Sequence, residues 1–496
     1  MRIDQSSAQL RSGSPTASAP SPVNALLPGD YLPAMNDLRS SLRDVADHIV
    51  DYRAGLQTSR VTPSRTRAEV REKLPMRLPD DGAALPDVIS ELIGHATPGL
   101  MASAGPRYFG FVVGGSVDAA LAADLLTTGW DQVGFNEALS PAAIAFEDVA
   151  GSWLKDLLRI PASASVGFVT GAQAANTVGL AAARWKVLRD HGHDVGVDGL
   201  FGAPRIRVIA GEERHATVDR ALRLLGFGER SLELVSSDDN GAMDPRSLAE
   251  TLHRGSDGPT IIVAQAGNVN TGAFDDLTRI GSLAKEHQAW LHVDGAFGLW
   301  AAASPEYTHL VDGLEGADSW GCDGHKWLNV PYDSGYIFCA YPDVHATAMA
   351  YTAEYLTGQV ADREFGGGDF VPESSRRSRG FATWAALRSL GRSGVAELID
   401  RNCALARMLA ERLGDVPGVE IPNDVVLNQV LIEVGDTAFT NRVEREIQKD
   451  GSVWMGATTW RGRRLLRAAI SNWSTNKDDI EQTVSAIRRA MEAASD

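Results

Sequence analysis

Cysteine is scarce: Cys322, Cys339 and Cys403 are the only three in 496 residues. An odd, scattered set of thiols makes no disulfide framework, so a reducing compartment is expected, and with it a cytoplasmic setting. Positive charge is also in deficit, 47 Lys and Arg against 64 Asp and Glu, for a formal charge of −17. Phosphate backbones are held by clustered cations, which argues against nucleic acid as a partner. Runs of about 18 apolar residues are lacking, so no membrane span is expected. The first 27 residues lack the apolar stretch of a secretory signal and are rich in Ser, Ala and Pro. They have too little apolar surface to offset the entropy of ordering and read as a mobile tail. Neither G-x-G-x-x-G nor G-x-x-x-x-G-K-[ST] occurs, which removes the common nucleotide seats. Cys322 and His325 have C-x-x-H spacing, but no second pair accompanies them, and no metal site is expected.

What is present is ordinary globular material, 44% hydrophobic and 22% charged, long enough for two or three packed units. Leu38, Leu42, Val45 and Ile49 recur at helical spacing, and Pro86 opens a second helix with Val88, Ile89, Leu92 and Ile93 expected to face inward. The aromatic and glycine-rich stretch 107–116 reads either as packing against the core or as the wall of a substrate pocket. From Val166 onward short apolar runs alternate with helices. Strands are expected at 166–169, 206–209, 232–235, 261–263 and 290–293, and helices at 175–190, 216–226, 245–254 and 275–287, with Asp244 and Asp275 as N-caps. Such alternation implies a mostly parallel α/β sheet covered on both faces, whose ligands bind beyond the C-terminal strand ends. Farther on, a long helix is expected near 395–413, strands near 425–434, 453–460 and 465–471, and a final helix using Ile480, Val484, Ile487 and Met491. This pattern suggests a smaller α+β unit.

Four places carry chemistry. Thr170-Gly171-Ala172-Gln173 ends a strand and opens a helix, where free amides and the helix dipole suit a phosphate. Asp294 follows the buried run Trp290–Val293, where a carboxylate needs a donor or a cation. A protonated pyridine nitrogen would serve, and so would an ordinary cap or ion pair. His215 also follows a strand, placed to stack on a flat ring or simply to cap the next helix. Lys326, preceded by His325 in a Gly-bounded loop between apolar runs, reads as a nucleophilic amine or as a surface charge.

In order along the chain, Arg107-Tyr108-Phe109-Gly110-Phe111, Ser140-Pro141-Ala142, Thr170 to Asn176, His215, His292-Val293-Asp294-Gly295-Ala296 and His325-Lys326-Trp327-Leu328-Asn329-Val330-Pro331 form a specific set. From about residue 35 to the end, the chain resembles the group II pyridoxal-phosphate amino-acid decarboxylases, which include the aromatic-L-amino-acid, histidine and glutamate enzymes. The resemblance implies a fold-type I transferase architecture with a mostly parallel seven-stranded sheet and flanking helices. It also implies an N-terminal helical segment over 28–115, a large cofactor-binding domain over 116–371 and a small C-terminal domain over 372–496. The cofactor it implies is pyridoxal 5'-phosphate, joined to Lys326 as an imine, with Asp294 on the pyridine nitrogen. His215 and Ala296 would lie on the two ring faces, and Ala172, Gln173 and His325 would hold the phosphate. A small-molecule amino acid is the implied substrate, and a homodimer with shared active sites the implied assembly.

Two departures bear on the outcome. The stretch Leu356–Phe370 holds no tyrosine, the residue thought to protonate Cα in related decarboxylases, although Tyr351 and Tyr355 lie just upstream. An aldehyde synthase, which decarboxylates and deaminates oxidatively, therefore stands beside the decarboxylase as an alternative. Asp323-Gly324 replaces the family's Asn-Pro before His-Lys and resembles a bacterial branch. A binding protein without catalysis and an aminotransferase remain further alternatives. Arg376, Arg377, Arg379 and Arg461 could meet an acidic substrate or sit in surface or interface ion pairs; the expectation leans to an aromatic substrate.

Overall fold

The computed structural model describes residues 31–255, 258–350 and 366–495. Most of the tyrosine-free stretch, with Tyr351 and Tyr355, lies outside the described residues, as does the tail over 1–27. Two compact units emerge, one formed by residues up to Ala54 together with Ser64–Gly99, the other by Gly55–Pro63 and Leu100–Asp496.

The larger unit is built on a seven-stranded sheet: β1 (Ser165–Val169), β2 (Arg207–Gly211), β3 (Leu232–Val235), β4 (Thr260–Gln265), β5 (Trp290–Asp294), β6 (Ser319–Asp323) and β7 (Gly335–Cys339). Their order across the sheet is β1-β7-β6-β5-β4-β2-β3, and only β7 runs against the others. Every residue of β4, β5, β6 and β7 is buried, as expected for strands covered on both faces. The crossover helices Ala172–Asp190, Ala216–Leu224, Pro245–Arg254 and Leu277–Glu286 follow the expected segments within a few residues. Trp300, Trp320 and Trp327 are wholly buried in the main core. A second, three-stranded antiparallel sheet comprises β8 (Gln429–Ile432), β9 (Gly456–Trp460) and β10 (Arg463–Ala469), ordered β8-β10-β9. It shares a separate apolar core with the helices Thr437–Asp450 and Lys477–Ser495.

Several local expectations need correction. Asp276, not Asp275, caps Leu277–Glu286, accepting from Arg279 N at 2.9 Å. Asp275 turns inward and accepts from Met243 N and Gln265 N, both at 2.7 Å, because two buried amides beside β4 need an acceptor. The long helix starts at Gly380 rather than near 395 and is broken at Gly391, whose φ of 62° suits a residue without Cβ. Before the break Phe381 and Trp384 pack on Phe146; after it Leu405, Leu409 and Leu413 join the core of the small sheet. Ser140 caps Pro141–Leu157 through its hydroxyl, as Ser-Pro suggests. In the smaller unit the helix Leu85–Ala96 has no buried residue, and Val88 and Leu92 are exposed rather than inward-facing.

Candidate active site

The C-terminal ends of β1, β2, β5 and β6 converge on a pocket of about 340 Å³. Its lining includes Thr170 to Gln173, His215, Asp294, Ala296, His325 and Lys326, so every site residue expected from the sequence meets in one cavity. A larger groove of about 640 Å³ lies near Trp290 and Asp318, at the starts of β5 and β6. It lacks this convergence of amine, carboxylate and imidazole.

Asp294 ends β5 and is almost fully buried. Its Oδ1 accepts from Ala296 N at 3.2 Å and its Oδ2 from Asn176 Nδ2 at 2.8 Å. Asn176 in turn faces His292 Nε2 through its Oδ1 at 3.1 Å, and His292 Nδ1 meets Ser319 Oγ at 2.8 Å. Burial pushes the His292 imidazole down to about 4, so the ring is neutral and its single N–H must be shared along this line. Since the Asn176 oxygen can only accept, Nε2 carries the proton. The chain Ser319–His292–Asn176–Asp294 thus fixes the carboxylate from below. Sequence reasoning quoted Asn176 and His292 within motifs but gave neither a role.

His215 takes its capping reading at Ala216–Leu224, accepting from Thr217 N at Nδ1, and also lines the pocket. Its affinity for a proton is lowered chiefly by burial, opposed by the charge of Asp294 and reinforced by Lys326 and Arg467. With Nδ1 accepting, the neutral ring carries its hydrogen on Nε2. His325 accepts from Ser334 N at Nδ1, stacks on Tyr332 at 4.2 Å, and is also held neutral mainly by burial. Lys326 is partly exposed to the pocket, its Nζ 6.0 Å from the ring centre of Phe297. Gly114 allows the backbone of Lys326 its position, since a Cβ there would fall 1.7 Å from the lysine carbonyl oxygen. Cys322 is buried in the core, where burial pushes its thiol well up and makes it an unreactive neighbour.

Phe111 opens onto the same cavity. It stacks on Trp454, which also stacks on Tyr108, so part of the glycine-rich stretch does form a pocket wall. The candidate arginines lie elsewhere. Arg376 is buried against Glu147, Arg377 pairs with Asp124, Arg379 with Asp333 and Arg461 with Asp239. Each takes its ion-pair reading. Asp323 was noted only as a departure; here it is buried at the end of β6 and touches both Ala172 and Lys326.

An amine, a buried carboxylate, a flat imidazole and a helix start around one cavity are chemically complementary to a substituted pyridine aldehyde bearing a phosphate. The fold and this donor set define a fold-type I enzyme of the pyridoxal-phosphate class. The chain belongs to the pyridoxal-dependent decarboxylase family, whose conserved-domain model matches residues 68–434. It is 29% identical over 473 residues to tryptophan decarboxylase 1 of Oryza sativa subsp. japonica, covering 88% of this chain and 90% of that protein. The aromatic-L-amino-acid decarboxylase of Cavia porcellus is 27% identical, covering 92% and 97%. Phenylacetaldehyde synthase of Arabidopsis thaliana is 26% identical, covering 88% and 92%. Among solved structures, Oryza sativa TDC with PLP and tryptamine superposes with a TM-score of 0.85 at 25% identity, over 96% of this chain and 99% of that one. The protein is a pyridoxal-phosphate-dependent amino-acid decarboxylase, and its cofactor is pyridoxal 5'-phosphate.

Proposed function

We propose that this chain removes the α-carboxylate of an aromatic L-amino acid, giving the amine and carbon dioxide. The observation that carries the reading is the placing of Lys326, Asp294 and His215 in one cavity at the C-terminal sheet edge. Lys326 would hold the cofactor covalently through Nζ and Asp294 would face the ring nitrogen. His215 and Ala296 would flank the ring, and the amides of Ala172 and Gln173, with His325, would hold the phosphate. When bound, the cofactor supplies the electron sink for the pair left at Cα. The chain's own work is orientation: Asp294, braced by Asn176, fixes the ring plane, and the pocket walls set which bond at Cα stands across it. Phe111, Phe297 and Val269 give the mouth an apolar, aromatic character suited to an aromatic side chain.

The second reading, an aldehyde synthase, is favoured by the missing tyrosine in Leu356–Phe370 and by the likeness to phenylacetaldehyde synthase. A panel of amino acids, with evolved carbon dioxide and product mass recorded, separates the two. Amine without oxygen uptake supports the first; aldehyde with ammonia and peroxide supports the second. Carbon dioxide from no amino acid would overturn both, and Lys326→Ala is expected to abolish turnover in either case.

The assembly proposed is a homodimer. Leu38 and Leu42 on the helix Tyr31–Gly55, and Val88 and Leu92 on Leu85–Ala96, are all exposed. Apolar faces of this kind suit a second copy of the chain. Leu42→Asp with Leu92→Asp should shift the mass in sedimentation towards the monomer, and an unchanged mass would refute the assignment. A cytoplasmic setting is supported by the three free, buried cysteines. No helix among the described residues is long and apolar enough to cross a membrane.

A further inference from the structure

The acid at the phosphate end of the pocket has no place in the reading so far. Asp323 is 2% exposed, and its carboxyl makes three polar contacts. Oδ1 accepts from Ala172 N at 2.5 Å and lies 3.4 Å from His325 Nε2, while Oδ2 lies 3.0 Å from Lys326 Nζ. The Ala172 amide is the first of the helix Ala172–Asp190, and Lys326 is the only ammonium lining this cavity among the described residues. Side-chain rotation is the only easy movement, because the Asp323 backbone is pinned: its N–H donates to Ala296 O at 3.0 Å and its carbonyl accepts from Trp300 Nε1 at 2.9 Å.

We propose that the Asp323 carboxylate is a built-in occupant of the phosphate end, competing with a phosphorylated ligand for the Ala172 amide and for the charge of Lys326. The proposal rests on the reading of Ala172 and His325 as the phosphate seat. A phosphate arriving there must take the amide from one anion while lying beside it, and the two repel, the more so because the Asp323 carboxylate is buried. Retention of the cofactor then depends on its covalent attachment to Lys326, which also removes the ammonium that pairs with Asp323. Phosphorylated ligands that cannot attach are held weakly, so a pyridoxamine phosphate formed in the site would leave it readily.

The test measures binding of inorganic phosphate, pyridoxamine 5'-phosphate and pyridoxamine to the full chain freed of cofactor, by calorimetry. Pyridoxamine phosphate carries ring and phosphate but no aldehyde. Asp323→Asn keeps the shape and removes the charge, and it is expected to bind both phosphorylated probes at least about tenfold more tightly than the unaltered chain. Its affinity for pyridoxamine should be unchanged. Asp323→Ser is expected to move in the same direction and serves if the Asn variant folds poorly. Equal or weaker phosphate binding by the folded variants overturns the proposal, because a purely structural carboxylate would give that result. So does a failure of every chain to bind either phosphorylated probe. The cofactor reading is judged separately, by whether pyridoxal phosphate gives a visible absorption band with the unaltered chain that Lys326→Ala lacks.

Discussion

Asn176→Asp is nearly isosteric, so its effect reports charge and not packing. The amide is wholly buried, and its Nδ2 lies 2.8 Å from Asp294 Oδ2. Two carboxylates at that separation repel by about 6 kcal/mol at an effective dielectric near 20. Keeping one of them protonated at pH 7, against an unfolded value near 3.9, costs only about 4 kcal/mol. The cheaper course wins, and the folded variant traps one proton between the introduced carboxyl and Asp294 or on the adjoining His292. The pair's folded pKa is thereby raised above its unfolded value. Stability is therefore intact below about pH 4 and is lost as pH rises through the window from about 4 to about 8. Relative to the unaltered chain, the variant should be about 4 kcal/mol less stable at pH 7. The deficit should shrink by about 1.4 kcal/mol per unit as pH falls towards 5. Urea denaturation of both chains at pH 5, 6 and 7 measures this difference. A deficit under about 1 kcal/mol at pH 7, or one that does not vary with pH, would refute the contact between this amide and the Asp294 carboxylate.

Asp294→Asn should lower kcat at least about 10²-fold with the cofactor still attached at Lys326, because a neutral amide cannot keep the ring nitrogen charged. Loss of absorbance along with activity would instead show a binding defect. Arg376 grips Glu147 with two nitrogens, and both side chains are at most 5% exposed. Burial pushes the Glu147 carboxyl up against the pull of Arg376, so Arg376→Met should cost about 3–5 kcal/mol in urea at pH 7 and less at pH 5. A cost that does not ease on acidification would contradict a stranded carboxylate. His345 is buried and pushed down to about 3 from 6.5 by burial. Its folded pKa is depressed, so it favours the fold above 6.5 and loses that contribution as pH falls. Relative to the unaltered chain, His345→Leu should gain about 2–3 kcal/mol between pH 7 and 4.5. A flat difference in paired denaturation curves would exclude that role.

Strands β1 to β5 were legible because they are short apolar runs bounded by polar turns, whereas β6 and β7, which flank the Lys326 loop, were not among the expected strands. Boundaries were less so. The helix start at Gly380 was hidden because 380–390 packs on other helices and shows no single apolar stripe, whereas 395–413 does. Asp275 and Asp276 are both good caps by residue type, and only the position of the unpaired amides of Met243 and Gln265 decides between them. Of the candidate site residues, Asp294 and His215 were picked out because they lie at or just after the end of an apolar run, and Lys326 because its Gly-bounded loop lies between two such runs. Asn176 lies one turn inside a helix, where an asparagine reads as an indifferent helix residue, and its meaning depends on a contact 118 residues away.

Asp323 shows the same limit from the other side. As a letter it is a departure from a motif, and a departure says only that something differs. In space it lies between the Ala172 amide and the Lys326 amine, the groups proposed above to meet the phosphate and to anchor the cofactor. The two buried acids of this pocket therefore have opposite relations to one ligand. In the proposed placement, Asp294 would meet the edge where the cofactor brings positive charge and Asp323 the end where it brings negative charge. Asp323→Asn would remove that one conflict at no cost in volume. A chain that keeps the carboxylate ties possession of its cofactor to Lys326 more tightly than the amide would, and this link between anchor and retention is what the phosphate-binding comparison measures.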